Sequence, residues 1–398
     1  MKRFLLLLSY VCMWTGVSTC TATPKDDPLL TIVLMVKNEA SVMCDTLKPF
    51  IDTCMTEPLA FFIFDTGSTD STMAITQQYF EENNVHNTVI KQEPFIDFAT
   101  SRNRALELAE QAFPAASFML MLDAEWYLHN VAGLIDFCHV HKTDTNTSYL
   151  MRIMSTSLDF YTPRLIRCRS GVQFVGKVHE VLNQVSNIKA PQNCFFIWNP
   201  SAAGQEKSRK RWLRDLDNLL KVHKETPQDP RTTFYIAQTY QCLNDLENAR
   251  IWYELRTKMP GWDEENFMAH YRLAQVNESL NCWDRALANY LEAFSLRHCR
   301  AEPLVRLAEH YYKTGELALC FLFSQRAAQI PYPAQDVLFI DKELYTYTRY
   351  DLLGISAWYM GEYELGKEAI IKALEAHPEA THLHTNFVFY NDRVKTEK

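Results

Sequence analysis

The first half of the chain alternates between short runs that are apolar on both faces and polar stretches that open helices. Leu29–Val36 (LLTIVLMV), Phe61–Phe64 and Phe118–Leu122 (FMLML) are continuous apolar runs of strand length. That pattern predicts strands buried in the middle of a covered, largely parallel sheet rather than half-exposed ones. Thr88–Lys91 predicts a further short strand, and Ser148–Ser155 and Pro163–Cys168 predict two more. The first run ends in Lys37-Asn38-Glu39-Ala40, the second in Asp65-Thr-Gly-Ser-Thr-Asp70-Ser-Thr, and the third in Asp123-Ala-Glu125-Trp126. Helices are expected after the first two, with Val42, Thr46 and Leu47 on the inner side of one and Asp70 or Ser71 capping the other. A third helix opens near Ser101-Arg102-Asn103-Arg104, with Ala105, Leu108, Ala109 and Ala112 on one side. Four strand–helix units in a row predict a parallel, doubly wound half-sheet that delivers polar residues to one edge.

Beyond Gly204 the pattern changes. Lys207–Lys224 reads as a charged amphipathic connector helix, and from Arg231 the chain predicts helices rich in Tyr, Ala and Leu. Four segments share one spacing, a small residue followed seven later by a turn-former: Ala237–Asn244, Ala274–Asn281, Ala308–Gly315 and Gly354–Gly361. Five residues further on stand Ala249, Ala286, Cys320 and Gly366, again small. The steps between segments are 37, 34 and 46 residues, the last lengthened by an insertion around Pro331–Leu344. Small residues at these positions let paired helices approach closely. The spacing resembles tetratricopeptide repeats, whose stacked arrays hold extended peptides or partner helices.

Composition narrows the classes. At 398 residues there is room for two domains, and 47% hydrophobic residues exclude a disordered chain. A formal net charge of −8 with no long basic block argues against nucleic acid as partner. Only 11 glycines and no G-x-G leave neither a dinucleotide fingerprint nor a phosphate loop. Lys2-Arg3, the apolar Phe4–Val17 and the small exit at Cys20-Thr21-Ala22 have the form of a secretory signal peptide. The leader predicts a secretory or secreted protein; a short uncleaved anchor with weak membrane association, or a cytoplasmic protein, is the alternative. Asn146-Thr-Ser and Asn277-Glu-Ser fit the glycosylation pattern of that route. Cleavage would leave nine dispersed cysteines with no C-x-x-C pair, neither a disulfide framework nor a zinc ribbon.

Candidate chemistry gathers at the polar strand ends. Asp123 and Glu125, spaced i and i+2 past a buried strand, can share one hard cation with a phosphate. Carboxylates in that place lie at the carboxyl edge of the sheet, where open α/β folds bind ligands. Lys37 is placed to approach a phosphate and Asn38 and Glu39 to hydrogen-bond a base, although Glu39 also suits a helix N-terminus. Asp65 can accept from the imide N–H of a uracil ring. Arg102 or Arg104 can neutralise a pyrophosphate, or simply sit on a solvated helix face.

In order and spacing, VKNEA, FDTGSTDST, SRNRAL and LDAEW resemble the inverting family-two glycosyltransferases of the GT-A fold, over roughly Leu29 to Asn199. The resemblance implies a metal-dependent hexosyltransferase that moves a sugar from a nucleotide-diphosphate donor to an acceptor hydroxyl or thiol. It implies a donor site of Lys37, Asn38, Glu39, Asp65, Arg102, Asn103 and Asp123. Mn²⁺ or Mg²⁺ would sit on Asp123, Glu125 and His179, and Glu180 of the Gly176-Lys-Val-His-Glu segment would be the catalytic base. The usual Asp-x-Asp appears here as Asp-Ala-Glu-Trp. The expected fold is an α/β GT-A-like domain followed by an all-α tetratricopeptide array. Its parts are a leader (1–22), the transferase domain (28–205), a connector helix (206–228) and the repeats (229–390). A protein, peptide or glycan acceptor is the expected partner beside the nucleotide sugar. The alternative function is a catalytically decayed transferase domain serving as a protein–protein interaction scaffold.

Overall fold

The structure, a computed structural model, describes residues 27–396 apart from 55–56, 156 and 199–201. The leader expected over residues 1–22 lies outside the described residues. The apolar runs form strands that alternate with helices: β1 (Leu30–Val36), α1 (Met43–Thr53), β2 (Leu59–Asp65), α2 (Thr72–Glu82), β3 (Thr88–Gln92), α3 (Phe98–Ala112) and β4 (Phe118–Leu122). These four strands are parallel, in the order β3-β2-β1-β4, with Val36 beside Asp65 and Leu34 beside Leu122. Every residue of β2 and β4 is buried, as strands covered on both faces require.

The sheet continues with β5 (Trp126–His129), α4 (Val131–Val140), β6 (Ser148–Met154), β7 (Leu158–Arg167) and β10 (Phe195–Trp198). β7 runs antiparallel to both β4 and β6, so the sheet is mixed rather than wholly parallel. A separate ribbon, β8 (Phe174–Val175) with β9 (Val181–Leu182), stands over α3. Its attachment is specific: Asn103 Nδ2 donates to the Phe174 carbonyl at 2.9 Å and its Oδ1 accepts from the Phe174 N–H at 2.8 Å.

The connector helix is α5 (Ala202–Glu225). Paired helices follow: α6 (Pro230–Cys242) with α7 (Leu246–Arg256), α8 (Asp263–Ser279) with α9 (Trp283–Leu296), and α10 (Glu302–Thr314) with α11 (Leu317–Ala328). Then come α12 (Arg349–Met360), α13 (Tyr363–Ala376) and α14 (Thr381–Thr396). The predicted small residues sit at the crossings, with Ala237, Ala249, Ala274, Ala286, Ala308 and Cys320 wholly buried. The predicted turn-formers are left-handed, φ 62° at Asn244, 59° at Asn281, 82° at Gly315 and 76° at Gly361. That conformation is open to Asn and Gly and ends a helix. The array therefore has tetratricopeptide-like form.

The insertion between the third and fourth pairs is not a surface loop. It crosses to the sheet, where β11 (Ile340–Asp341) pairs antiparallel with Asp159 and Leu158 of β7. Tyr161 N–H donates to the Val337 carbonyl at 2.8 Å, and Lys342 N–H to that of Ser157 at 2.9 Å. The expectation of a GT-A-like domain followed by a separate array is thereby corrected. One strand of the sheet is supplied from inside the array, and by residues the helices come to predominate. Asn277, expected on the surface as a glycan acceptor, is 1% exposed within α8.

Candidate functional site

The carboxyl edge of the parallel strands collects the polar residues predicted there, but they bond chiefly to one another. Asp65 is wholly buried, and its carboxylate accepts from Ser68 N–H at 3.1 Å, Ser68 Oγ at 2.5 Å and Gln92 Nε2 at 2.5 Å. It closes the turn after β2. Asn38, left-handed at φ 57°, accepts on its Oδ1 from Thr69 N–H at 2.7 Å, while its own N–H donates to Ser68 Oγ. Glu39 N–H donates to Thr72 Oγ1 at 2.8 Å, and Asp70 accepts from Thr72 N–H at 3.0 Å. The two polar loops after β1 and β2 are stitched together, with Lys37 exposed beside them.

The charged centre is a knot around Arg102. Its Nη2 donates to Asp123 Oδ1 at 2.6 Å and its Nε to Glu180 Oε1 at 2.7 Å, with the arginine side chain 4% exposed. Arg164, from β7, donates to the other oxygen of Asp123 at 3.1 Å and lies 4.9 Å from the centre of the Trp126 ring. Burial pushes the Asp123 pKa up, but the Arg102 and Arg164 charges outweigh it and hold the carboxyl below its ordinary value. Burial works the same way against Arg102, and the charges of Asp123 and Glu180 overcome it and raise its pKa. Arg164 goes the other way: burial, reinforced by the charge of Arg102, lowers it. Arg104, the other candidate cation, turns outward to Glu93 and Glu107 at 3.0 and 2.8 Å.

Two of the three expected metal ligands, Asp123 and His179, are committed to protein neighbours. Both oxygens of Asp123 are taken by guanidinium groups. His179, in the β8–β9 turn, packs against α6 instead, its ring stacked on Tyr235 with centroids 3.8 Å apart and planes 11° from parallel. Burial first, then the positive Arg231 and Arg211, push its pKa down to about 3. Among the described residues no group of three or more His, Cys, Asp and Glu is arranged to hold a metal ion. Glu180 is spent as a counter-ion of Arg102, and Asn103 as the clamp on β8. The arrangement ties α3, β4, β7 and the β8–β9 ribbon to one another, while Arg102 Nη1 and Arg164 Nε and Nη1 stay buried with no hydrogen-bond partner among the described residues.

A second polar constellation lies between the array and the insertion, and sequence reasoning missed it. Residues 334–341 cross the face made by α8 and α10 as a turn at Ala334–Gln335 followed by irregular chain that ends in β11. Glu264 of α8 accepts from the backbone N–H groups of Val337 and Leu338, both at 2.8 Å. Arg300 donates to the carbonyls of Leu338 and Phe339 at 3.2 and 3.0 Å. Asp336 is held by Arg297 at 2.5 and 2.7 Å and by Arg300 at 3.2 Å. Asp341 meets Arg306 at 3.4 Å, and Phe339 lies between Phe160 of the sheet and Arg272 of α8. On the sheet side Asp159 pairs with Arg152 and accepts from Tyr332, while Lys189 donates to the carbonyls of Ala334, Gln335 and Asp336. The one signal in the sequence was the lengthened third step, which marked where the segment starts but not where it goes.

No family model matches this chain, and none of the curated proteins searched does. Solved structures do, at low similarity. The C-terminal part of a TPR repeat-containing protein from Cytophaga hutchinsonii is 13% identical, covering 48% of this chain and 71% of its own, with a TM-score of 0.38. MamA is 16% identical over 46% of this chain and 99% of its own, TM-score 0.35. YrrB, described as a TPR protein with an unusual peptide-binding site, is 16% identical over 46% and 88%, TM-score 0.33. Each of these matches covers less than half of this chain. The expectation of a family-two, metal-dependent hexosyltransferase is corrected by the site itself, where Asn38, Asp65, Arg102, Asn103, Asp123 and Glu180, chosen for its donor, metal and base, are bonded to neighbouring protein groups. No helix among the described residues is long and apolar enough to cross a membrane.

Proposed function

We propose that this chain is a protein-interaction scaffold whose helical array binds peptide or protein partners, with the α/β half as the platform on which the array is fixed. The observation that carries this reading is the grip on residues 336–339. Side chains of α8 and of the α9–α10 turn reach the backbone N–H and C=O groups of an irregular segment outside any helix or strand. Backbone contacts of that kind suit a polypeptide of varied sequence, and flanking pockets and charges select among them. The knot at Arg102 supports the same reading from the other side, because its carboxylates are spent on structure.

The test is cross-linking mass spectrometry on the full chain recovered from its own cells. Partner cross-links are expected on exposed lysines of the array, Lys258, Lys313 and Lys372. Recovery of the chain alone, or cross-links confined to Lys91, Lys142 and Lys177 of the α/β half, would overturn the proposal.

A further inference from the structure

The face of α8 and α10 is filled by the chain itself. We infer that residues 334–341 are a tethered occupant of a peptide groove, displaceable by a partner carrying an extended segment of the same chemistry. That chemistry is an aspartate followed by four bulky apolar residues, the third aromatic, and a second acidic group. The inference rests on the scaffold reading and adds to it the kind of partner and its regulation.

Three observations support displacement rather than permanent structure. First, the groove keeps its own counter-ions when the segment leaves. Arg300 is bonded to Glu302 at 2.6 and 2.9 Å, and Arg256 to Glu265 at 2.9 and 3.0 Å, independently of Asp336. Arg297 has Glu264 at 3.8 Å and is partly open to water. The vacated face would therefore not be left with unpaired buried cations, the condition that makes most buried ion pairs impossible to open.

Second, the segment's strand pairing with the sheet is short, its other polar ties there being hydrogen bonds to Tyr161, Lys189 and Ser157. Its strand is two residues long. The apolar core of the sheet, around Ile32, Phe61 and Leu120, is complete without it. Third, Phe339 has a φ of 42°, a left-handed conformation that a bulky side chain adopts only under constraint. Such strain collects at clamps and switches and is relieved when the segment comes free.

The chemistry of the outside partner follows from the contacts. Arg297 and Arg300 select the acidic residue at the position of Asp336. Glu264 and Arg300 hold the backbone beyond it, and Arg272 offers a guanidinium to an aromatic ring two residues further on. Arg306 meets the trailing acid. A basic residue in the place of Asp336 would set a like charge against Arg297 and Arg300, so a basic peptide is excluded.

The experiment has two arms on the full chain. In the first, hydrogen exchange of the wild-type protein compares residues 334–341 with β2. The segment is expected to exchange at least about 100-fold faster, by local opening that leaves the core closed. Equal rates, meaning that the segment opens only when the whole protein unfolds, would overturn the inference. In the second arm, a fluorescent peptide with the sequence of residues 333–342 is titrated into the wild type and into a D336A/F339A chain. Binding is expected to the variant and at least about tenfold weaker to the wild type, the competition expected when the binding-competent state is a minor one. No binding to a variant whose segment exchanges freely would overturn it. Should the variant not fold, the first arm decides alone. A segment that never opens while partners still cross-link to the array would sink only this inference. Peptide binding without any cellular partner would sink only the scaffold reading.

Discussion

His179 offers a direct test of how the two halves are joined. It sits in the β8–β9 turn at φ 52°, stacked face to face on Tyr235 of α6, with Arg231 Nη2 donating to its carbonyl at 3.2 Å. Burial and the positive Arg231 and Arg211 push the imidazole pKa down to about 3 from an ordinary 6.5. The folded protein therefore holds this ring neutral over most of the accessible pH range. Above pH 6.5 the ring is neutral in the unfolded chain too, and it contributes nothing to pH dependence. Below 6.5 the unfolded chain takes up a proton that the folded state refuses until pH 3, so stability falls as pH falls. The slope is at most about 1.4 kcal/mol per pH unit, which gives about 2 kcal/mol between pH 8 and pH 5. His179 keeps some exposure, which makes these upper values. The perturbation is His179→Asn, since Asn tolerates the left-handed backbone. Urea unfolding of both proteins at pH 8, 7, 6 and 5 is the measurement. Other titrating groups act on both proteins alike, so the wild-type-minus-variant difference isolates the histidine. That difference should shift against the wild type by 1 to 2 kcal/mol on going from pH 8 to pH 5, about the scale set by the linkage slope. A difference constant to within about 0.5 kcal/mol, near the extrapolation error, would refute the account of a buried neutral ring.

Three other substitutions or probes follow from contacts already described. Arg102→Met leaves Glu180 buried and without its guanidinium, and should cost about 3 kcal/mol; adding Glu180→Gln should restore at least about 1 kcal/mol of that, and strict additivity would show that the two are not coupled. Gly366→Ala places a methyl group 2.1 to 2.6 Å from ring atoms of the buried Tyr390, whose hydroxyl donates to the Gly354 carbonyl at 2.5 Å. Overpacking there should outweigh the helix gain of alanine and cost about 1–3 kcal/mol, and a raised melting temperature would contradict the packing at that crossing. Alkylation with iodoacetamide should label the exposed Cys299 first, whereas burial pushes the Cys194 thiol up to about 11 and the Cys168 thiol up to about 12, so both should react only on unfolding. Early labelling of Cys194 in native protein would be incompatible with the core of the α/β half.

The strands that sequence reasoning placed are those whose side chains are buried on both faces. LLTIVLMV and FMLML read as central strands because a continuous apolar run has few other uses at that length. The repeat was legible for a related reason, since close helix crossings admit only small residues and recur at fixed steps. Partners were not legible. Arg102 is 21 residues from Asp123 and 78 from Glu180, and Arg164 is 41 from Asp123. A carboxylate at a strand end looks the same in a sequence whether a cation from solution or an arginine from another element neutralises it. That ambiguity let Asp123, Glu125 and His179 be grouped as ligands, although the third belongs to the face packed on α6. Of the antiparallel strands, β7 was read only from Pro163 on, because its first half carries Asp159, buried as an ion pair with Arg152, and the two-residue β11 left no pattern to read.

The added strand β11 of the sheet and the occupied groove have one physical origin. A helical array placed after an α/β unit would ordinarily meet it through a modest polar interface and move against it. Here the insertion between the third and fourth pairs takes part in both bodies at once. Its backbone extends the sheet at β7, and its side chains satisfy the cations of α10 and the α9–α10 turn. Asp159 marks the junction: it pairs with Arg152 inside the sheet and accepts from Tyr332 of the insertion. The same thirteen or so residues thus fix the orientation of the array and cover the face through which it would recognise a partner, a long irregular segment of the sort that carries function. Displacing them would uncover the groove and loosen the junction together. Binding at the array is thereby coupled to its attachment on the α/β half, and the coupling acts equally in both directions.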